Sequence, residues 1–503
     1  MTTLKSHPAP SLFDAAALEI APGYPSPRLS LAVLVPVYNE QYLVQASLER
    51  LGVLGKSPLL DRVKVIVVDD CSRDNTPEVL RRFQALLADG SDPKFEWVFV
   101  RHEHNQGKGG AIRTALEYAD TDLTCIHDAD LEYHPRDLLS MVPLFLSERA
   151  DAVFGSRFLA GGFKRALFFR HSMGNRLLTF FCNLASDLDL TDMETCYKMV
   201  RTDVLRSIPI ESHDFRIEPE FTIKLAKRNA RIFEVPISYS GRTYQDGKKI
   251  TWKDGLKALK AILKFAASDN IYKKDEYGSE ILTRLRRAPH FTRWMADTIR
   301  GHIGDRVLEI GAGIGNFTLN LVPRTLYWAT DINPMYLHEL RKLEETRPYL
   351  HAATLNLAAG ESFPSDQKFD TVVCLNILEH VRDDLAALRN IREVLEENGR
   401  AIVLVPQGPS LFGTLDEVLG HQRRYRRDQL TKLAEEAGFR VREVLEFNRS
   451  SVPAWWWNGK IMRRRSFGQI QIKMLNLLVP LFRRLDRWLP LPPLSLIAVL
   501  ERN

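Results

Sequence analysis

The sequence is short of cysteine, of long apolar runs and of a strong charge of either sign. Its five cysteines, Cys71, Cys125, Cys182, Cys196 and Cys374, are scattered, odd in number and without close metal-type spacing. That argues against a disulfide framework or a zinc site and fits a reducing compartment. No run of about 18 uninterrupted apolar residues occurs, so no membrane-spanning helix is expected. The N-terminal stretch, rich in Pro and Ala, lacks the charged-then-apolar pattern of a secretory signal and reads as a flexible leader over residues 1–28. There is no internal repeat. A formal net charge of +6 permits an anionic substrate or membrane surface without demanding one. Nucleic acid is not an expected partner, and the expected location is cytoplasmic, with room for peripheral contact on the inner face of the membrane.

What is present is enough chain for more than one core. At 503 residues, with 45% hydrophobic and 26% charged residues, the composition is that of a soluble globular protein of two or more domains. Two stretches look like the opening strand of an α/β domain: "LSLAVLVPVYNE" from Leu29 and "DRVLEIGAGIGNFT" from Asp305. Each is a short β-branched run that ends in turn chemistry and is followed by a helical pattern. Further strand-like runs then recur between helical stretches: "VKVIVVDD", "FEWVFVRH" and "LTCIHDAD" in the first half, "TLYWATD", "FDTVVCLN" and "GRAIVLVP" in the second. The alternation predicts an α/β fold with a mostly parallel sheet, twice over. The expected domains are residues 29–270 and 290–503, joined by a linker at 271–289.

Ligands of open α/β sheets bind at the carboxyl ends of strands. The first strand ends in "PVYNE", so Pro36, Tyr38, Asn39 and Glu40 should border a site; the next ends at Asp69 and Asp70. A carboxylate there can accept hydrogen bonds from a uracil or guanine edge or from ribose hydroxyls, although Asp70 alone suits a helix N-cap region equally well. At the end of the fourth strand, "HDAD" sets Asp128 and Asp130 on either side of one small residue. Two carboxylates so spaced can face Mg²⁺ or Mn²⁺ bound to a diphosphate, where the metal neutralises the leaving group.

In its order of motifs, "VPVYNE", "VVDDCSRDNT", "HNQGKGGAIRTAL", "HDADLEYHP", "FGSRF", "DMETCYKMVR", "FRIEPEFTIKLA" and "ISYSGRTYQDGKKI", the first half resembles inverting GT-A glycosyltransferases of family 2, specifically the dolichyl-phosphate mannose synthase-like branch. The resemblance implies a GT-A fold and transfer of a hexose from a nucleoside diphosphate sugar. It implies that Pro36, Tyr38, Glu40, Asp69 and Asp70 contact the nucleoside and that Asp128 and Asp130 hold metal and diphosphate. It also implies that Lys108 lies near the nucleotide, beside two glycines that permit close approach, and that Arg242 and Lys249 meet phosphate. The QxxRW signature of processive members and the family's membrane-spanning tail are both missing. The acceptor stays open: a polyprenyl phosphate would need cations, for which Arg157, Arg170 and Arg176 are candidates, whereas a glycan hydroxyl would need a base, for which Glu218 or Glu220 in "RIEPE" is the natural choice.

In the second half, Gly311, Gly313 and Gly315 follow a strand and precede a helix, an arrangement also found in dinucleotide enzymes. "FDTVVCLNILEHVRDD", "LEENGRAIVLVPQG", "LNLA" and "GHQRRYRRDQL" resemble class I methyltransferases, whose fold is Rossmann-like and whose cofactor is S-adenosylmethionine. By that resemblance Glu309, Gly311, Gly313, Asp331, Asn356 and Asn376 would line the cofactor site. His380 and His421 are candidate bases for a hydroxyl acceptor, or packing residues. Finally, "FRVREVLEF" and "LSLIAVLERN", which should pair as a hairpin, are separated by an insert at about 450–492. Its Trp455, Trp456, Trp457, Arg463, Arg464, Arg465, Arg483, Arg484 and Trp488 suit an interfacial segment on anionic membrane or a lid over the methyl-acceptor pocket.

Overall fold

The computed structural model describes residues 28–503 except 89, 91, 160–168, 242–251, 269, 274–287, 360–362, 364–366 and 465–468. The expected leader, most of the expected linker, Arg242 and Lys249 therefore lie outside the described residues, as does the side chain of Arg170. The chain divides into two compact units, Met1–Ile271 and Tyr272–Asn503.

The first unit is built on seven strands: β1 (Leu29–Val37), β2 (Leu60–Asp69), β3 (Phe95–Arg101), β4 (Leu123–Ile126), β5 (Ala152–Ser156), β6 (Lys198–Arg201) and β7 (Ile232–Pro236). Their order is β3-β2-β1-β4-β6-β5-β7, parallel throughout except for β6, which runs against both β4 and β5. β1 is buried almost end to end, as its unbroken apolar run requires of a central strand covered on both faces. Winding reverses between β1 and β4, so a crevice opens beyond their carboxyl ends.

The second unit repeats the plan with β8 (Arg306–Ile310), β9 (Leu326–Asp331), β10 (Leu350–Thr354), β11 (Phe369–Leu375), β12 (Leu395–Pro406), β13 (Phe439–Phe447) and β14 (Ser495–Arg502). The order is β10-β9-β8-β11-β12-β14-β13, with β14 antiparallel to both neighbours. Side-chain alternation sorts this sheet between two cores. Leu308, Ile310, Val372, Cys374, Ala401, Val403, Leu496 and Ala498 enter one cluster, while Val307, Val373, Ile402, Leu404 and Ile497 enter the other. Successive residues point to opposite faces, and both faces are sealed. Winding reverses between β8 and β11. The insert separating β13 from β14 contributes helix Gln469–Leu485, which packs on helix Pro289–Ile299 within the same unit.

Candidate active sites

In the first unit, loops after β1, β2 and β4 meet at the crevice, and each holds one non-glycine residue in the left-handed region: Asn39 (φ +53°), Cys71 (φ +59°) and Leu131 (φ +62°). Such backbone costs ~1 kcal/mol or more and persists only where neighbours hold it. Here Asn39 donates its backbone N–H to Ser72 Oγ (2.9 Å), and its Oδ1 accepts from the Arg73 backbone N–H (2.8 Å). The first two loops are thereby stitched together. Pro36 and Glu40 are half-buried at this edge, and Tyr38 is exposed.

Asp69 and Asp70 are both buried, but their surroundings differ. Asp69 accepts from the Ser72 backbone N–H (3.0 Å) and pairs with Arg101 (3.2 Å). Asp70 has both oxygens committed to the loop before the next helix. Oδ1 meets the Gln106 backbone N–H (2.8 Å) and His102 Nδ1 (2.7 Å), and Oδ2 meets the Gly107 N–H (2.7 Å). Its geometry is that of a residue shaping the 102–107 loop rather than one reaching for a nucleoside. The glycines beside Lys108 also turn toward protein: a Cβ on Gly107 would fall 2.2 Å from His213 O, and one on Gly109 2.0 Å from Ser212 O. The close approach they permit is to the 212–213 backbone.

Asp128 and Asp130 are half-buried, neither of them sealed in the core. Lys108 Nζ bridges both oxygens of Asp128 (2.9 and 3.0 Å) and reaches Glu218 Oε1 (3.4 Å); Glu218 Oε2 in turn pairs with the fully buried Lys198 (2.6 Å). Charges thus alternate along Asp128, Lys108, Glu218 and Lys198. Burial raises the Asp128 carboxyl, but the adjacent Lys108 ammonium outweighs it and leaves the group below the ordinary range. The donor set fits a hard cation: two carboxylates one residue apart at a strand end, with Asp130 Oδ1 also accepting from the Glu132 N–H (3.1 Å).

Several expected partners of substrate are spent on protein. Glu220 is fully buried and accepts from the backbone N–H groups of Glu211 (2.7 Å) and Ser212 (2.8 Å) and from Lys224 (2.7 Å). Neither it nor Glu218 keeps an open face for a base. Arg157 makes a two-pronged pair with buried Asp192 (2.6 and 2.7 Å). Arg176 is exposed, its guanidinium 5.5 Å over the Phe158 ring. The sequence reading missed Glu194, whose Oε1 is buried without a hydrogen-bond partner among the described residues. Burial first, then the Glu218 charge, pushes its carboxyl up to about 7.

In the second unit, a cavity of about 990 Å³ opens over the β8–β11 switch point, lined by Gly311, Gly313, Asp331, Asn356 and Asn376 among others. Gly311 has φ +73°, and a Cβ there would fall 2.1 Å from Ile377 Cδ1. Asp331 Oδ2 accepts from the Gly313 N–H (2.8 Å) and Oδ1 from the Asn333 N–H (2.9 Å), which fixes its carboxylate at the rim. Apolar walls with few placed polar groups fit a nucleoside with a sulfonium side chain. Glu309, expected in this lining, instead lies beneath the loop: Oε2 accepts from Thr318 Oγ1 (2.6 Å) and Tyr327 OH (2.9 Å). Burial pushes its carboxyl up to about 7, against both of those bonds. His380 and His421 line the cavity, their rings 5.1 Å apart. Ile472, Leu475, Leu478 and Phe482 of the insert helix line it too.

Residues 32–208 match the model of the glycosyl transferase family 2, and residues 258–444 match a methyltransferase domain model. The chain joins a family 2 glycosyltransferase domain to a methyltransferase domain. The glycosyltransferase domain is 29% identical over 228 residues to an undecaprenyl-phosphate mannosyltransferase of Micrococcus luteus, a match covering 44% of this chain and 87% of that protein. It is 24% identical over 215 residues to a UDP-N-acetylglucosamine–dolichyl-phosphate N-acetylglucosaminyltransferase of Methanococcus voltae, covering 41% of this chain and 83% of the relative. An S-adenosylmethionine-dependent methyltransferase from Clostridium acetobutylicum aligns over 45% of this chain and 97% of its own, at 13% identity and a TM-score of 0.31.

The side chains that sequence reasoning left without a role share one signal. Glu194 and Lys198 of the glycosyltransferase domain sit in "DMETCYKMVR", a quoted motif; in the methyltransferase domain Glu379 is the neighbour of His380, and Asp416 stands five positions before His421. Each lies within a segment already singled out or within five positions of a residue that was.

Proposed function

We propose that the glycosyltransferase domain transfers a hexose, with inversion, from a nucleoside diphosphate sugar to a polyprenyl phosphate. The methyltransferase domain then methylates a hydroxyl of that product or of a related glycan. One observation carries the acceptor assignment: both carboxylates of "RIEPE" are consumed by buried lysines and backbone N–H groups. A phosphate acceptor is already anionic and needs no base from them. The two relatives, both named for transfer to polyprenyl phosphates, support the same reading.

In this reading Pro36, Tyr38, Glu40 and Asp69 border the nucleoside, and Arg242 and Lys249 meet phosphate. Mg²⁺ or Mn²⁺ held by Asp128 and Asp130 would neutralise charge on the leaving diphosphate. Lys108 keeps Asp128 ionised, Asp70 sets the loop that carries Lys108, and Arg176 receives the acceptor phosphate. In the second unit, Asp331 takes the ribose hydroxyls, Asn356 the adenine edge, and the apolar wall excludes water. S-adenosylmethionine brings an already activated methyl, so alignment is the domain's main task.

No described helix is long and apolar enough to cross a membrane. Helix Phe169–Ser186 nevertheless exposes Phe169, Met173, Leu177, Phe180 and Leu184, a stripe at helical spacing. The insert helix turns Leu477 and Leu481 outward while its other face walls the cavity. Both surfaces suit contact with lipid, the second serving as lid and membrane face together.

Glu194 supports a second reading, in which a glycan hydroxyl is the acceptor and this carboxyl, pushed up to about 7, is the base. Transfer assays with short polyprenyl phosphate and with glycan acceptors, in wild type and Glu194→Gln, separate the two. On the phosphate reading, lipid-linked product forms and Glu194→Gln stays within about threefold. A loss of about 10²-fold or more, with product on a glycan only, eliminates the phosphate acceptor. Failure of S-adenosylmethionine to bind in calorimetry would instead leave the second domain a scaffold.

A further inference from the structure

Beyond methyl-donor binding, on which this inference rests for its setting, two histidines of the cavity wall and the fully buried Glu379 bring three ligand atoms together. We propose that Glu379, His380 and His421 form a site for a divalent cation of the zinc, cobalt or manganese kind, with a further position open to the acceptor's hydroxyl oxygen. One ligand atom from each of the three residues lies within 4.8 Å of the other two.

The tautomers are decided by the second shell. His421 Nδ1 is 2.9 Å from Asp416 Oδ1, and His380 Nδ1 is 3.2 Å from the Gly420 carbonyl oxygen. Both of those oxygens only accept, so both Nδ1 atoms carry the proton and both Nε2 atoms present lone pairs. His421 Nε2 faces Glu379 Oε1 at 3.8 Å. Glu379 is fully buried, and among the described residues neither of its oxygens has a hydrogen-bond partner. Three ligand atoms brought together, one of them from a buried carboxyl whose oxygens have no hydrogen-bond partner among the described residues, leave a place that a cation would fill.

Asp416 is itself braced by Arg424 (2.8 Å) and by the Gly413 N–H (3.0 Å), giving the carboxylate–histidine–metal relay that orients metal-bound imidazole. Two nitrogens and one carboxylate select borderline metals over Mg²⁺ or Ca²⁺, which prefer all-oxygen sites. Three protein ligands leave a coordination position free, and His380 and His421 front the cavity. A hydroxyl held there becomes more acidic. Its proton leaves to solvent, its oxygen forms the bond to the donor methyl carbon, and the C–S pair stays on sulfur as the neutral thioether.

The test uses the full chain carrying Asp130→Ala, so that the carboxylate pair of the first unit contributes nothing. Chelator-stripped protein is titrated with Co²⁺ and read by visible absorption, and S-adenosylhomocysteine binding is measured by calorimetry on the same samples. We expect one equivalent of cobalt with ligand-field bands, weakened at least tenfold by Glu379→Gln and by His421→Asn. Both variants should keep the parent's far-ultraviolet circular dichroism, which shows that they are folded. No cobalt uptake by the parent, or unchanged uptake by both variants, overturns the site. If cobalt binding depends on Glu379 but S-adenosylhomocysteine never binds, the cation site stands and the methyl-donor reading falls.

Discussion

Replacing Glu309 by Gln tests the reasoning about its buried carboxyl. The group ordinarily titrates near 4.5 and is pushed up to about 7 by burial under the glycine loop. Below about pH 4.5 it is protonated whether the unit is folded or not, so it costs nothing. As pH rises from 4.5 to 7 the unfolded chain releases the proton first, and folding loses stability. Above 7 the loss is complete. Two and a half pH decades at ~1.4 kcal/mol each give a penalty of about 3 kcal/mol at pH 8. Gln keeps an oxygen to accept from Thr318 and Tyr327 and removes the ionisation. Calorimetric melting, with the second unit's transition identified by its upward shift on adding S-adenosylhomocysteine, should show the two proteins equal at pH 4.5. At pH 8 the variant should melt about 5–10 °C higher. Glu379, pushed up to about 8, adds its own pH dependence to both proteins and cancels in the comparison. Equal melting at pH 8, or a gap of the same size at pH 4.5, refutes the argument.

Gly311→Ala places a Cβ against Ile377 at φ +73°, and S-adenosylhomocysteine should bind at least tenfold more weakly by calorimetry. Lys198→Met leaves the buried Glu218 carboxylate with only Lys108, 3.4 Å away, and should cost about 2–4 kcal/mol in urea unfolding of the first unit; a loss below 1 kcal/mol would mean the pair is not buried as described. Leu177→Asp with Leu184→Asp should cut cosedimentation with anionic vesicles about tenfold or more, while leaving the melting of the first unit unchanged.

Much of the architecture was legible because it depends on local pattern. Strand-turn-helix chemistry at "VLEIGAGIGNF" and at "VPVYNE" announced two mostly parallel sheets, since β-branched runs ending in glycine or Asn-Glu turns need no distant partner to declare themselves. The same local logic placed Asp128, Asp130, Gly311 and Asp331 at strand ends. It said nothing of β6 running against its neighbours, because direction is set by how strands pair across the sheet.

What the sequence by itself determined is which residue types stand at which strand ends, and hence where ligands can enter. Only tertiary structure decided what each charge faces. Glu218 meets a lysine 110 positions away and another 20 away, Asp70 is consumed by a loop 36 positions on, and Glu309 points under the glycine loop rather than into the cavity. A carboxylate's role follows from its partners and its access to water. Both come from segments that the fold, not the chain order, brings together.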